Sequence, residues 1–311
     1  GFISLGGAKN QVDCERMMDR VQEAGHIVQA ELAGSDVVVI NTCGFIDSAK
    51  TEAIYFILQT AALKAEGLVG KILVTGCLSQ RYQQMILEEM PEVDGLLGTG
   101  SYTEIVPAIE ALLQQDDIVV DFGSIDAPEQ ATGRVLTTPE HYAFIKIAEG
   151  CDNCCSYCAI PQICGPYTSR PYEEVIAEAK ELAASGIKEI IVVAQDTTRY
   201  GEDLYGKLML PQLLKDLNEL DGVESIRVMY LYPINFNDEL IEAFATLDKV
   251  CKYIDIPLQH ASDTLLSSMN RYDTKAEVEA LLTKLRARIP EIAIRTTFIV
   301  GFPGETDEDF V

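Results

Sequence analysis

A run of about 18 apolar residues, the length a membrane-spanning helix needs, occurs nowhere in these 311 residues. No membrane association is expected. The opening residues, GFISLGGAKN, carry no basic stretch ahead of an apolar core, so a secretory signal is not expected either. Basic charge is scarce: 24 Lys and Arg stand against 49 Asp and Glu, for a net charge of −25. No basic stripe offsets it, and direct binding of nucleic acid is therefore not expected. An acidic surface of this kind attracts a basic protein, or serves solubility alone. Internal repeats beyond a βα unit and low-complexity tracts are also missing. What is left is a globular chain long enough for two domains.

What the sequence does have is cysteine, nine in all. Without a secretory signal the expected compartment is the reducing cytoplasm, where clustered cysteines are ligands rather than disulfides. Five of the nine fall between Glu149 and Arg170, in EGCDNCCSYCAIPQICGPYTSR. Cys151, Cys155 and Cys158 follow the spacing C-x3-C-x2-C. The preceding AFIKIA, residues 143–148, reads as a buried strand, so the cysteines sit on the loop that leaves a strand end. Three thiolates from one short loop can hold three irons of a 4Fe–4S cluster and leave the fourth open to a ligand. Zinc is the structural alternative. Structural zinc takes two separated pairs of the C-x2-C type, and no second Cys/His pair follows at zinc-finger spacing. The adjacent Cys154 and Cys155 also suit tetrahedral zinc poorly. Cys154 is then a supernumerary thiol, and Tyr157 a cover over the cluster.

Around this loop the chain divides by pattern. In residues 1–116 strands at 2–5, 36–42, 71–75 and 94–97 alternate with helices at 10–24, 47–63, 79–90 and 103–115. That order predicts a flavodoxin-like doubly wound parallel sheet, with the first strand between the second and third. The loops after those three strands would converge, and they carry Gly6-Gly7, Cys43 and Cys77. Two cysteines at equivalent strand ends suit ligands; free cysteines are also common core residues. Residues 117–138, rich in Gly, Pro, Thr and Asp, read as a linker with one extra strand. In residues 139–311 strands at 143–148, 189–194, 225–231, 253–257 and 292–300 alternate with helices at 172–184, 210–220, 237–247 and 274–288. This predicts a partial βα barrel with its site at the carboxyl ends of the strands. Those ends carry the three cysteines, Gln195-Asp196-Thr197, the residues from Tyr230 to Pro233, Gln259-His260, and the turn from Gly301 to Glu305.

With these motifs in hand, the chain resembles the radical S-adenosylmethionine (SAM) methylthiotransferases. The resemblance rests on SLGGAKN, NTCGFID, VTGCLSQRY, KIAEGCDNCCSYCAIP, VVAQDTTRYG, VMYLYP, DIPLQHASD and TFIVGFPGETDEDF, which span nearly the whole chain. NTCGFID, AQDTTRYG and MYLYP favour the branch that modifies ribosomal protein uS12 over the tRNA-modifying branch. The resemblance implies a transferase that adds a methylthio group to the β-carbon of an aspartate of uS12, with SAM as both radical source and methyl donor. It implies a partial (β/α)6 radical SAM barrel, with Cys151, Cys155 and Cys158 holding its cluster. Gln195, Asp196, Gln259, Gly301, Gly304 and Glu305 would line the cofactor or substrate pocket; Gln259-His260 reads equally as a hydrogen-bonded structural pair. Implied partners are uS12 or the small ribosomal subunit, and an electron donor such as flavodoxin or ferredoxin.

The family holds a second 4Fe–4S cluster with three cysteines of the first domain. Here Cys43 and Cys77 stand at two of those positions and Gly7 at the third. Cys14, seven residues on, lies about two helical turns, roughly 10 Å, away, too far to substitute without rearrangement. The second cluster is expected to be absent, labile or incomplete, leaving an impaired enzyme that cleaves SAM with little methylthiolation. Where the family carries arginines after CAIP, this chain has Cys164 and Thr168, and only Arg170 survives. The sixth barrel strand and the C-terminal TRAM domain of the family are not in this sequence, so a truncated chain is expected. Two other functions stay open: a tRNA N6-isopentenyladenosine C2 methylthiotransferase, and a non-catalytic iron–sulfur or zinc protein that lost activity with the cysteine at position 7.

Overall fold

The computed structural model describes residues 1–126 and 133–310. It divides into two compact units, one of Gly1–Thr137 with Ala159–Pro166, the other of Thr138–Cys158 with Tyr167–Val311.

The first unit runs β1 (Phe2–Ser4), α1 (Ala8–Glu23), β2 (Ser35–Thr42), α2 (Asp47–Ala65), β3 (Val69–Gly76), α3 (Cys77–Tyr82), α4 (Gln84–Glu89), β4 (Gly95–Leu97), α5 (Ile105–Gln114), β5 (Val119–Asp121), and later α6 (Ile160–Cys164). Its five strands are parallel. Alternate side chains of the sheet go to opposite faces. Val38, Ile40, Ile72 and Val74 pack with Ala53 and Ile57 of α2. Val37, Val39 and Leu73 pack with Met17 and Val21 of α1 and with Ile105, Ile109 and Leu112 of α5. Burial on both faces is why residues 37–40 of β2 form an unbroken apolar run.

The strand order corrects one expectation. The sheet is ordered β1-β2-β3-β4-β5, with β1 at the edge and β2, not β1, next to β3. The eight-residue β2 offers a paired backbone on both sides, whereas the three-residue β1 suits an edge, where short strands are favoured. The extra strand anticipated after residue 117 is β5, which pairs with β4. Residues 127–132 of the expected linker, and Val311, lie outside the described residues. A second correction concerns the helix expected over 79–90. It starts earlier, at Cys77, and breaks into α3 and α4 at Gln83, whose φ of 42° and ψ of −123° are not helical.

The second unit runs β6 (Tyr142–Lys146), β7 (Ala148–Glu149), β8 (Thr168–Ser169), α7 (Tyr172–Ala184), β9 (Glu189–Val193), α8 (Glu202–Tyr205), α9 (Leu210–Asn218), β10 (Ser225–Val228), α10 (Asp238–Thr246), β11 (Tyr253–Asp255), α11 (Asp263–Ser268), α12 (Lys275–Arg288), β12 (Ala293–Arg295) and α13 (Asp307–Phe310). Parallel strands β6, β9 and β10 form one ladder and β11 with β12 another. An isolated parallel bridge between Ile226 and Val250, and a bond from Leu231 N to Asp255 O at 2.9 Å, join the two into one arc of βα units. The short β7 and β8 pair antiparallel and bracket the cysteine loop.

Candidate metal centre

The cysteine loop of the second unit begins where β6 and β7 end. Gly150, with φ of 66°, turns the chain in a conformation that favours glycine. Behind it, buried Arg170 donates through Nη1 to Lys146 O at 2.8 Å and to Glu178 Oε2 at 2.6 Å. The one arginine that survives from the family's basic pattern therefore fastens the strand leading into the loop. Cys164 is buried on α6 of the first unit, and Thr168 lies on β8.

From Cys151 onward the loop is pinned by its own polar residues. Asn153 N donates to Cys151 Sγ at 3.5 Å, and Asn153 Nδ2 to Asp196 Oδ2 at 3.2 Å. Asp152 accepts from Tyr167 N at 3.0 Å, and Tyr167 OH donates to Asp196 O at 2.9 Å. Cys158 N donates to Cys155 O at 2.9 Å. Burial pushes the Cys151 thiol up to about 11, with Asp196 and the other two cysteines adding to it against the bond from Asn153. The carboxylate of Asp196 is 1% exposed, and burial raises its pKa against bonds from Thr198 and Asn153.

The other strand ends are arranged as follows. Gln195 is half-buried beside Asp196. Gln259 has φ of 70°; its N donates to Thr297 O at 2.8 Å and its O accepts from Ile299 N at 2.7 Å. His260 Nε2 meets Glu305 Oε1 at 3.4 Å, and its Nδ1 accepts from Ser262 N at 3.0 Å. Glu305 Oε2 also accepts from Phe302 N at 2.9 Å and from Gly301 N. Gly301 and Gly304, with φ of 77° and 90°, make that turn possible. The carboxylates of Asp196 and Glu305 are thus engaged by neighbouring protein groups.

Sequence reasoning missed a third support. The segment after α11 runs back along the loop. Ser156 N donates to Met269 O at 2.9 Å, Ser156 Oγ to Ser268 O at 3.0 Å, and Asn270 Nδ2 to Cys154 O at 2.9 Å. Arg271 Nη1 reaches Tyr157 OH at 3.5 Å. The only local signal for this was an asparagine after a helix, a residue that tolerates the left-handed conformation Asn270 adopts at φ 56°.

In the first unit the three loops do converge. Asn10 gathers them: its Nδ2 donates to Leu5 O at 3.2 Å and to Thr42 O at 3.0 Å, and its Oδ1 accepts from Cys77 Sγ at 3.8 Å. A side chain on Gly6, at φ 90°, would bring a Cβ to 2.9 Å from Cys43 Cβ. A Cβ on Gly7 meets nothing within 4 Å, and its φ of −89° is open to any residue. Burial raises the Cys43 thiol, opposed by a bond from the Phe45 backbone and aided by the charge of Cys77. Cys14 stands apart on α1, buried, its thiol pushed up to about 12 by burial, with Ser4 as its hydrogen-bond partner.

Among the described residues none of the nine cysteines is in a disulfide. Among the described residues no three His, Cys, Asp or Glu side chains are grouped to take a single metal ion. As a donor set, three thiols on one braced loop suit a group of several irons, and Cys151, Cys155 and Cys158 fit a 4Fe–4S cluster. The first unit offers Cys43 and Cys77 with an empty place at Gly7, and does not fit a cluster held by three protein thiolates. Among the described residues no helix is long and apolar enough to cross a membrane.

A three-thiol loop leaving the first strand of a parallel βα arc defines the radical SAM class, and the radical SAM superfamily model matches residues 145–311. Residues 1–98 match the uncharacterized protein family UPF0004. The ribosomal protein uS12 methylthiotransferase RimO of Pelotomaculum thermopropionicum is 49% identical over 310 residues, 100% of this chain and 70% of that protein. The protein of that name from Lachnoclostridium phytofermentans is 50% identical over 309 residues, 99% of this chain and 70% of its own length. Among solved structures, the radical SAM methyltransferase TsrM of Kitasatospora setae aligns with a TM-score of 0.64 at 17% identity, covering 88% of this chain and 58% of that one; this likeness is one of fold. The chain belongs to the radical SAM methylthiotransferases, in the family of the ribosomal protein uS12 methylthiotransferases. Its cofactors are a 4Fe–4S cluster and SAM.

Proposed function

We propose that this chain adds a methylthio group to the β-carbon of an aspartate of ribosomal protein uS12. The observation that carries the reading is the braced three-thiol loop in a chain about half identical, end to end, to uS12 methylthiotransferases. When bound, the cluster and SAM supply reductive formation of a carbon radical and a methyl group for transfer. Cys151, Cys155 and Cys158 hold the cluster, and Asp196 fixes the loop through Asn153. Gln195, Gln259 and the turn from Gly301 to Glu305 border the cofactor. The acidic surface suits basic uS12, the small ribosomal subunit presents it, and a flavodoxin or ferredoxin in the cytoplasm supplies electrons. In the first unit Cys43 and Cys77 stand at two of the three cysteine positions of the family's second cluster, and Gly7 supplies no thiolate at the third.

Anaerobically reconstituted chain is incubated with SAM, reductant, sulfide, and either uS12 or tRNA. Mass analysis is expected to find 5′-deoxyadenosine in both, with any methylthio group on uS12 and none on tRNA. Modified tRNA adenosine would overturn the substrate, and a colourless chain that leaves SAM intact would overturn the enzyme. Cys151→Ser with Cys155→Ser and Cys158→Ser is expected to abolish SAM cleavage.

A further inference from the structure

Arg271 is a buried cation of the second unit. Its side chain is 2% exposed, as is that of Asp273. A guanidinium cannot be neutralised by losing its proton, so it stays a cation. Asp273 engages it from one edge, Oδ1 to Nε at 3.2 Å and Oδ2 to Nη2 at 3.4 Å. The ring of Tyr232, at the end of β10, lies 4.5 Å from the guanidinium carbon. Both hold the plane of the guanidinium fixed. The remaining edge, Nη1, points to Tyr157 OH at 3.5 Å. The ion pair is therefore a dipole with its positive end toward the cysteine loop.

Tyr157 passes this on. It stands between Cys155 and Cys158, half-buried, and its hydroxyl is hydrogen-bonded to Cys155. It accepts from Arg271 and is left to donate to the Cys155 sulfur. A buried ion pair of this kind contributes little net stability, because desolvation of both charges offsets their attraction. The arrangement is better explained by what it does to its neighbour. Reduction potentials of iron–sulfur clusters follow local charge, hydrogen bonds to the sulfurs and solvent exposure. A donor on a ligand sulfur and a positive dipole end behind it both favour the more negative, reduced cluster.

We propose that Arg271 is a positioning residue that, through Tyr157, sets the reduction potential of the cluster on Cys151, Cys155 and Cys158. The inference rests on the reading that these three cysteines hold a 4Fe–4S cluster. Asn270 and Ser156 fix the loop against the same segment, so the geometry is shared by four consecutive residues, 268 to 271, rather than by one contact.

The test is an anaerobic redox titration followed by electron paramagnetic resonance, in the full chain carrying Cys43→Ala and Cys77→Ala so that one cluster reports. Arg271→Gln is expected to lower the midpoint potential with iron content unchanged. At a fixed poise near the midpoint the reduced-to-oxidised ratio should fall about tenfold, which is about 59 mV for one electron. Arg271→Lys, which keeps the charge, should recover part of the shift. Tyr157→Phe keeps the ring and removes only the hydroxyl, and is expected to shift the potential the same way; it carries the test if Arg271→Gln does not fold. Tyr157→Phe and Arg271→Gln together should shift it little further than the larger single change. An unchanged potential in Tyr157→Phe or in iron-replete Arg271→Gln would overturn the proposal. A parent chain that binds no iron would overturn the cluster reading itself, and this proposal with it.

Discussion

Asn10 joins the ends of β1, β2 and β3 with one side chain, and its amide serves two carbonyls and a thiol. Asn10→Ala leaves the carbonyls of Leu5 and Thr42 without that donor and is expected to destabilise the chain by about 1–3 kcal/mol, read as a lower urea midpoint with unchanged slope. An unchanged midpoint would show that the backbone alone holds the loops. Gly7 is the opposite case. Because a Cβ there touches nothing, Gly7→Cys is expected to leave stability within about 0.5 kcal/mol. It should raise bound iron and acid-labile sulfide from about four to about eight per chain. Iron counting beside urea unfolding separates the two effects, and eight irons in the unaltered chain would contradict an incomplete site. The cysteine triad was legible in sequence because its spacing is local. The supports were not: Asn10 meets positions 32 and 67 residues away, and Arg271 meets Tyr157 across 114. No pattern within a sequence window encodes such pairs.

At the scale of elements, periodicity gave most boundaries, and α7 coincides with its expected range of 172–184. An apolar run reports that a strand is covered on both faces; it does not report which strand lies beside it, and the position of β1 depends on that pairing. The break between α3 and α4 was hidden for another reason. Gln83 holds a backbone conformation that favours glycine, and no glycine marks the spot. Gln83→Gly is therefore expected to stabilise the chain by about 1 kcal/mol, seen as a higher urea midpoint; a loss would show that the Gln83 side chain contributes more than its backbone costs. At α12 the caps agree with the sequence. Thr274 accepts from Glu277 N while Glu277 accepts from Thr274 N, a reciprocal capping box. Thr274→Ala should cost about 1 kcal/mol by the same measurement.

For the molecule as a whole, the charge of −25 governs encounters. Association with basic uS12 should be steered by long-range attraction, and it should slow several-fold as salt rises from about 0.05 M to about 0.5 M, where screening acts over only a few ångströms. Stopped-flow rates across that range would check it, and a rate indifferent to salt would assign the acidic surface to solubility alone. The division of the chain carries a further consequence, for biosynthesis. The first unit is completed by Ala159–Pro166, where α6 packs against α3 and Ile163 O accepts from Thr99 Oγ1. A ribosome delivers residues in order, at about 5–20 per second. The segment that completes the first unit is therefore made only after the cysteines at 151, 155 and 158. Synthesis of the cysteine loop and completion of the first unit are consecutive moments of one translation event.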